Sequence, residues 1–150
     1  MKKVRNEKGF TLFEIIAVLI ILAIISALVI SRGFSTKEVN LQVEVDTLKG
    51  HLRYAQNLAM NEVAPFKWGI QIGETSYTLV QEGPDAAGQL VTSSPLSLPN
   101  ESSATHSFAP FAARPITVLF DSWGSPGNNP VTVTLGGMTI NITPNTGFIP

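Results

Sequence analysis

A chain of 150 residues has room for one domain and a short appendage, hardly for two domains. With 44% hydrophobic and only 14% charged residues, and a mean hydropathy of +0.22, it is no disordered charged tail, and the absence of cysteine excludes a disulfide scaffold, a thiol nucleophile and a Cys-ligated zinc site. The net charge of −1 hides an asymmetry: Lys2, Lys3, Arg5 and Lys8 against Glu7 make the first nine residues +3, whereas six basic and ten acidic residues make the remaining 141 −4, a basic tip on an acidic body.

From Phe10 to Ile30 the only charge is Glu14, and Ile15 to Val29 is broken only by Ser26. As a helix these 21 residues rise about 32 Å, the length a bilayer demands. The basic leader then stays cytoplasmic and the 120 residues that follow lie beyond the membrane, on the periplasmic side in a bacterium. A cleaved signal peptide shares the basic leader and apolar run. Against it, the run is longer than an ordinary h-region, and the small-x-small site after it, Ser31-Arg32-Gly33, carries an arginine. A plain uncleaved anchor leaves Glu14 unexplained, since a carboxylate at the centre of a membrane helix costs ~2.5–3.5 kcal/mol and marks a functional position by default.

The string Lys8-Gly9-Phe10-Thr11-Leu12-Phe13-Glu14, followed by the Ile/Leu/Val/Ala run, resembles the class III signal of type IV prepilins and of the pseudopilins of type II secretion. The resemblance implies that a prepilin peptidase/methyltransferase cuts between Gly9 and Phe10 and methylates the new amine of Phe10. It also implies that Glu14 acts in filament assembly. Glycine before the cut leaves the backbone unhindered for a protease groove.

Beyond the apolar run, Ser35-Thr36-Lys37-Glu38 fits a capping box, with Phe34 and Val39 as its staple, so a helix starts or restarts there. Arg32-Gly33 marks a kink where many family members have proline. Leu41, Val45, Leu48, Leu52, Ala55 and Ala59 form an amphipathic stripe reaching about Asn61. Pro65 then opens a strand, Phe66 to Ile72, which Gly73-Glu74 turns into Thr75–Gln81. That turn pairs Ile70 with Tyr77 and Trp68 with Leu79 on one face. Residues 82–114, rich in Gly, Pro, Ser and Asn, read as a long loop with one or two short strands. Ile116, Val118 and Phe120 mark a strand, and 121–130 a turn region. Val131–Leu135, Gly136-Gly137 and Met138–Ile142 make a two-residue hairpin. Its register sets Leu135 against Met138, Val133 against Ile140 and Val131 against Ile142 on a dry face, for which the helix stripe is the cover.

Domain organisation follows: a cleaved leader at 1–9, a transmembrane and assembly helix at 10–34, and a periplasmic domain at 35–150 with a helix over about 35–61 and a sheet over about 66–149. The fold class is α+β and resembles that of pilins, a long N-terminal helix packed on an antiparallel β-sheet. Phe120-Asp121-x-x-Gly124-x-Pro126, Ile142-Thr-Pro-Asn-Thr-Gly147-Phe148 and Leu52-Arg-Tyr-Ala-Gln-Asn-Leu-Ala59 are similar to the H-type minor pseudopilins and their minor-pilin relatives.

Chemistry-bearing residues are few. His51 and His106, the only two histidines, read as packing or surface residues, and the acid pairs Glu44/Asp46 and Glu82/Asp85 as solvated. Asp121, Asn128 and Asn129 offer oxygens in one turn but lack a calcium-loop spacing. Trp68 and Trp123 read as core or edge aromatics rather than a binding platform, with exposure open to Trp123 in its turn region. No cofactor, metal or catalytic residue is expected. The role that the resemblance implies is that of a minor pseudopilin or pilin subunit, near the tip or in initiation, supporting secretion. The alternatives are a major pilin and a minor pilin that takes up DNA; the scattered Arg32, Lys37, Lys49, Arg53, Lys67 and Arg114 disfavour nucleic-acid binding. The expected partners are the peptidase, other pilin or pseudopilin subunits and the inner membrane.

Overall fold

The computed structural model describes residues 11–31, 36–93, 95–99 and 101–150, with backbone only for 27–31 and 36. The chain divides into two units, Met1–Thr36 and Lys37–Pro150. In the first, helix α1 (Leu12–Ser31) contains Glu14 in its first turn, and eleven large apolar side chains between Leu12 and Ile25 are exposed on every side of it. A helix apolar all round belongs in an apolar medium or a bundle. Among the described residues no helix is long and apolar enough to cross a membrane. Phe10 and residues 32–34 of the expected span, the cleavage site, and Ser35 of the expected capping box lie outside the described residues.

The second unit begins with α2 (Thr36–Met60), ended by Asn61, whose side-chain amide returns to the Asn57 carbonyl at 2.8 Å. Among the described residues seven strands follow: β1 (Lys67–Ile72), β2 (Ser76–Pro84), β3 (Leu90–Thr92), β4 (Thr105–Ser107), β5 (Ile116–Phe120), β6 (Val131–Leu135) and β7 (Met138–Ile142). They form two antiparallel sheets. The larger has the order β3-β2-β1-β5 with β4 also on β2, and the smaller is the β6-β7 hairpin. The chain is thus α+β, helix on antiparallel sheet, in the pilin-like arrangement.

All six stripe residues, Leu41 through Ala59, enter the core. They meet Ile70, Ile72, Leu79, Val118 and Phe120 of the larger sheet and Val133, Leu135, Ile140 and Ile142 of the smaller. The β6-β7 register is the expected one, residue for residue, because Gly136 and Gly137 both take positive φ, 57° and 91°, as a two-residue turn matched to strand twist requires.

The first hairpin differs from expectation by two residues. Ile70 pairs with Leu79, Ile72 with Tyr77 and Trp68 with Gln81. The turn lies at Glu74-Thr75, closed by Gly73 N–H on the Ser76 carbonyl at 2.8 Å. Glu74 and Thr75 present their carbonyls to the amides of Ala113 and Phe108, a tertiary demand that local turn chemistry does not reveal. A shift of two keeps the same residues on the core face.

The segment expected as a long loop with one or two short strands holds β3 and β4 and runs along the outer edge of β2. β3 pairs with Glu82–Pro84, Leu96 bridges to Leu79 and β4 pairs with Ser76–Thr78. An otherwise open edge is covered.

Two glycines test this packing in opposite directions. A methyl at Gly69 would overlap the Val118 carbonyl of β5, whereas one at Gly50 in α2 meets nothing within 4 Å. Gly69→Ala is expected to lower unfolding stability by ~1–3 kcal/mol or more. Gly50→Ala is expected to raise it by up to ~1 kcal/mol through helix propensity. Urea midpoints of the two variants check both.

Candidate functional site

The chain carries two constellations of interest, one in each unit. In the first, Thr11 stands before α1 and its hydroxyl accepts the Glu14 N–H at 3.2 Å, while its carbonyl accepts the N–H of Glu14 and of Ile15 at 3.0 and 3.2 Å. Thr11 is the N-cap and Glu14 the third helical residue, the spacing of a capping box. Glu14 is exposed, at the positive end of the helix dipole, where a carboxylate gains ~0.3–1 kcal/mol. It is a lone charge on an otherwise apolar cylinder. Gly9 and Phe10, the expected processing residues, lie outside the described residues.

The second constellation joins residues that looked unrelated in the sequence. Glu44 and His51 are seven residues apart, two turns of α2, and so lie on one flank of it. His51 is only 8% exposed, with Nδ1 2.7 Å from the Tyr77 hydroxyl of β2, and the Pro99 backbone favours its charged form. Burial, then the neighbouring His106, pushes its pKa below the usual histidine value.

His106, on β4, has Nδ1 2.6 Å from Glu101 and Nε2 3.0 Å from Glu44. Burial disfavours its charge, but the two carboxylates together outweigh burial and raise its pKa. The Tyr77 ring lies 4.9 Å from the His106 ring and 5.9 Å from Phe108. Burial and then the charges of Glu44 and Glu101 push its phenol upward.

His51 is thus the packing residue expected. Glu44 is not the solvated acid expected beside Asp46, since its side chain is 27% exposed and faces His106. Asp46 does face solvent, with Lys49 at 3.9 Å and Gln42 at 3.1 Å.

The remaining candidates are architectural. Asp121 Oδ1 accepts the amides of Trp123 and Ser125, both at 2.9 Å, so this carboxylate shapes its own turn. Trp68 is partly buried against the core and donates to Glu62 at 3.3 Å. Trp123 is 85% exposed, the alternative open to it in a turn region, not a core aromatic. Lys67 pairs with Glu82 at 4.0 Å and Arg53 donates to the Ile149 carbonyl at 3.0 Å. Among the described residues no group of three or more His, Cys, Asp or Glu is placed to hold a metal ion.

Residues 4–30 match the family model described as the prokaryotic N-terminal methylation motif. The match supports a type IV pilin-like or pseudopilin-like signal and suggests a filament subunit that a prepilin peptidase processes. No curated protein and no solved structure matches the chain.

The buried pair gives a direct stability test. Tyr77→Phe keeps the ring and removes the donor to His51 Nδ1, which should cost ~1–3 kcal/mol for a buried acceptor left without its partner. Trp123→Ala, at an exposed position, should change stability by less than ~0.5 kcal/mol. Denaturant unfolding of both variants decides it.

Proposed function

We propose that the chain is a minor pseudopilin or pilin subunit, held in the inner membrane by its N-terminal helix until it joins a filament. There it acts near the tip or in initiation, in support of protein secretion. The observation that carries this reading is the agreement of the methylation motif over residues 4–30 with an α1 that exposes apolar side chains on all sides and bears a single carboxylate in its first turn. Such a helix gains nothing in water and a great deal in lipid or among other apolar helices. The apolar run that suits a membrane is the sequence from Phe10 to Ile30.

Cleavage after Gly9 on the cytoplasmic side removes the +3 leader and leaves the membrane helix in place. The mature chain then begins with a methylated yet still cationic amine on Phe10. A lone buried acid and a lone buried amine each oppose insertion, but meeting between neighbouring subunits they relieve each other's desolvation and fix axial register. The role is one of assembly, not catalysis. The minor, H-type assignment rests on the block from Phe120 to Pro126 and on the one from Ile142 to Phe148. These meet in space: the Asn145 N–H reaches the Gly127 carbonyl at 2.9 Å, and Gln56 bonds the carbonyls of Gly124 and Gly147 at 2.8 and 3.0 Å.

The mature chain is expected to start at Phe10 with an added methyl group, as read by intact mass and N-terminal sequencing of membrane-extracted protein. A start near Phe34 would mean an ordinary signal peptide and would overturn the proposal. Glu14→Leu should leave insertion and cleavage unchanged and impair crosslinking to the other filament subunits. Wild-type co-assembly of that variant would remove Glu14 from the register role.

A further inference from the structure

The side chains around His106 come from four parts of the second unit. Glu44 and His51 belong to α2, Tyr77 to β2, Glu101 to the connection between β3 and β4, and His106 itself to β4. Its two ring nitrogens meet two different carboxylates, Glu101 at 2.6 Å and Glu44 at 3.0 Å, in a setting where the ring is 15% exposed. A carboxylate is an acceptor only, and a neutral imidazole has one N–H and one lone pair. Both contacts are therefore hydrogen bonds only when His106 carries two protons. With one proton, a nitrogen lone pair faces a carboxylate and two anions flank an uncharged ring.

We propose that the Glu44–His106–Glu101 bridge is a pH-sensitive fastener, which holds β4 and the connection before it on α2 while His106 is doubly protonated and releases them when it is not. Its place in the fold supports this. β4 has only three residues and pairs with one end of β2, so few ladder bonds hold it without the bridge. The same connection touches α2 again through Pro99 on His51. His51 serves as the neutral partner, buried and bonded to the Tyr77 hydroxyl with no carboxylate on its ring among the described residues, so one histidine of the pair is built to stay neutral and the other to stay charged.

The sign of the pH effect follows from linkage. The folded protein holds the His106 proton more tightly than the unfolded chain. The bridge's contribution is thus fully present below the unfolded histidine value and is lost as pH rises through the folded one. His51 acts in the opposite sense: its lowered pKa works against folding as pH falls below the unfolded value. The fastener is closed while His106 holds its second proton and opens as pH rises through the His106 titration.

The test uses the full chain in detergent micelles with ¹³Cε1-labelled histidine. Two histidines give two resonances, assigned with His106→Gln. The His106 midpoint is expected above that of free histidine and the His51 midpoint below it. Glu44→Gln and Glu101→Gln, which keep shape and remove charge, should each lower the His106 midpoint. Hydrogen exchange of peptides spanning 101–107, corrected for intrinsic rates, should lose about tenfold protection as pH passes that midpoint, the size expected for one charge-assisted hydrogen bond. That step should shrink in Glu101→Gln and vanish in His106→Gln. A His106 midpoint at or below the free value overturns the proposal, as does a wild-type exchange step that persists unchanged in the two Gln-for-Glu variants. Neither result bears on processing at Gly9, so this inference and the filament reading stand or fall separately.

Discussion

Everything in the second unit depends on the apolar face of α2. Two sheets with one dry side each need a common cover, and six residues at helical spacing, Leu41, Val45, Leu48, Leu52, Ala55 and Ala59, supply it. Once that face is committed, the two flanks of the helix become the sites where the rest of the chain is fastened. Glu44 and His51 on one flank hold the β3–β4 connection and β4. On the other, Arg53 reaches the Ile149 carbonyl and Gln56 reaches the carbonyls of Gly124 and Gly147, which ties down the C-terminal segment and the turn after β5. The core side is non-directional and the flanks are directional, so burial fixes where the helix lies and hydrogen bonds fix what lies beside it.

This division explains what was legible beforehand. The stripe shows in the sequence because a helix must repeat its buried residues every three or four positions. The β6-β7 hairpin shows because Gly136-Gly137 leaves only one register with all apolar residues on one side. The first hairpin offered Gly73-Glu74 as an equally good local turn, and only the tertiary bonds from Phe108 and Ala113 to Thr75 and Glu74 select the turn one residue later. The covering of the β2 edge was hidden for the same reason: segments of three residues carry too little pattern to announce a partner.

The histidine cluster was the least visible feature. Glu44 and His106 are 62 residues apart, and nothing local marks the polar connection between as returning to the helix. One signal was available: Glu44 and His51 fall on the same flank of α2, directly beside the buried stripe, where a charged residue and a histidine need partners. The N-terminal motif was legible for the opposite reason. Its chemistry is linear, a string of adjacent residues presented to a peptidase, and needs no fold to bring it together.

The two units therefore obey different constraints. The described side chains of α1 are exposed and apolar on all sides, and its single carboxylate is informative because the residues beside it in sequence are apolar. The unit Lys37–Pro150 closes its own core and has no need of α1 to do so. The most direct measurement of that claim is thermal unfolding of the excised segment 37–150 in detergent-free buffer, followed by near-ultraviolet circular dichroism and sedimentation. The account predicts a monodisperse species with fixed aromatic signals and one cooperative, reversible transition. An aggregated or molten segment that orders only when residues before Lys37 are restored would contradict it.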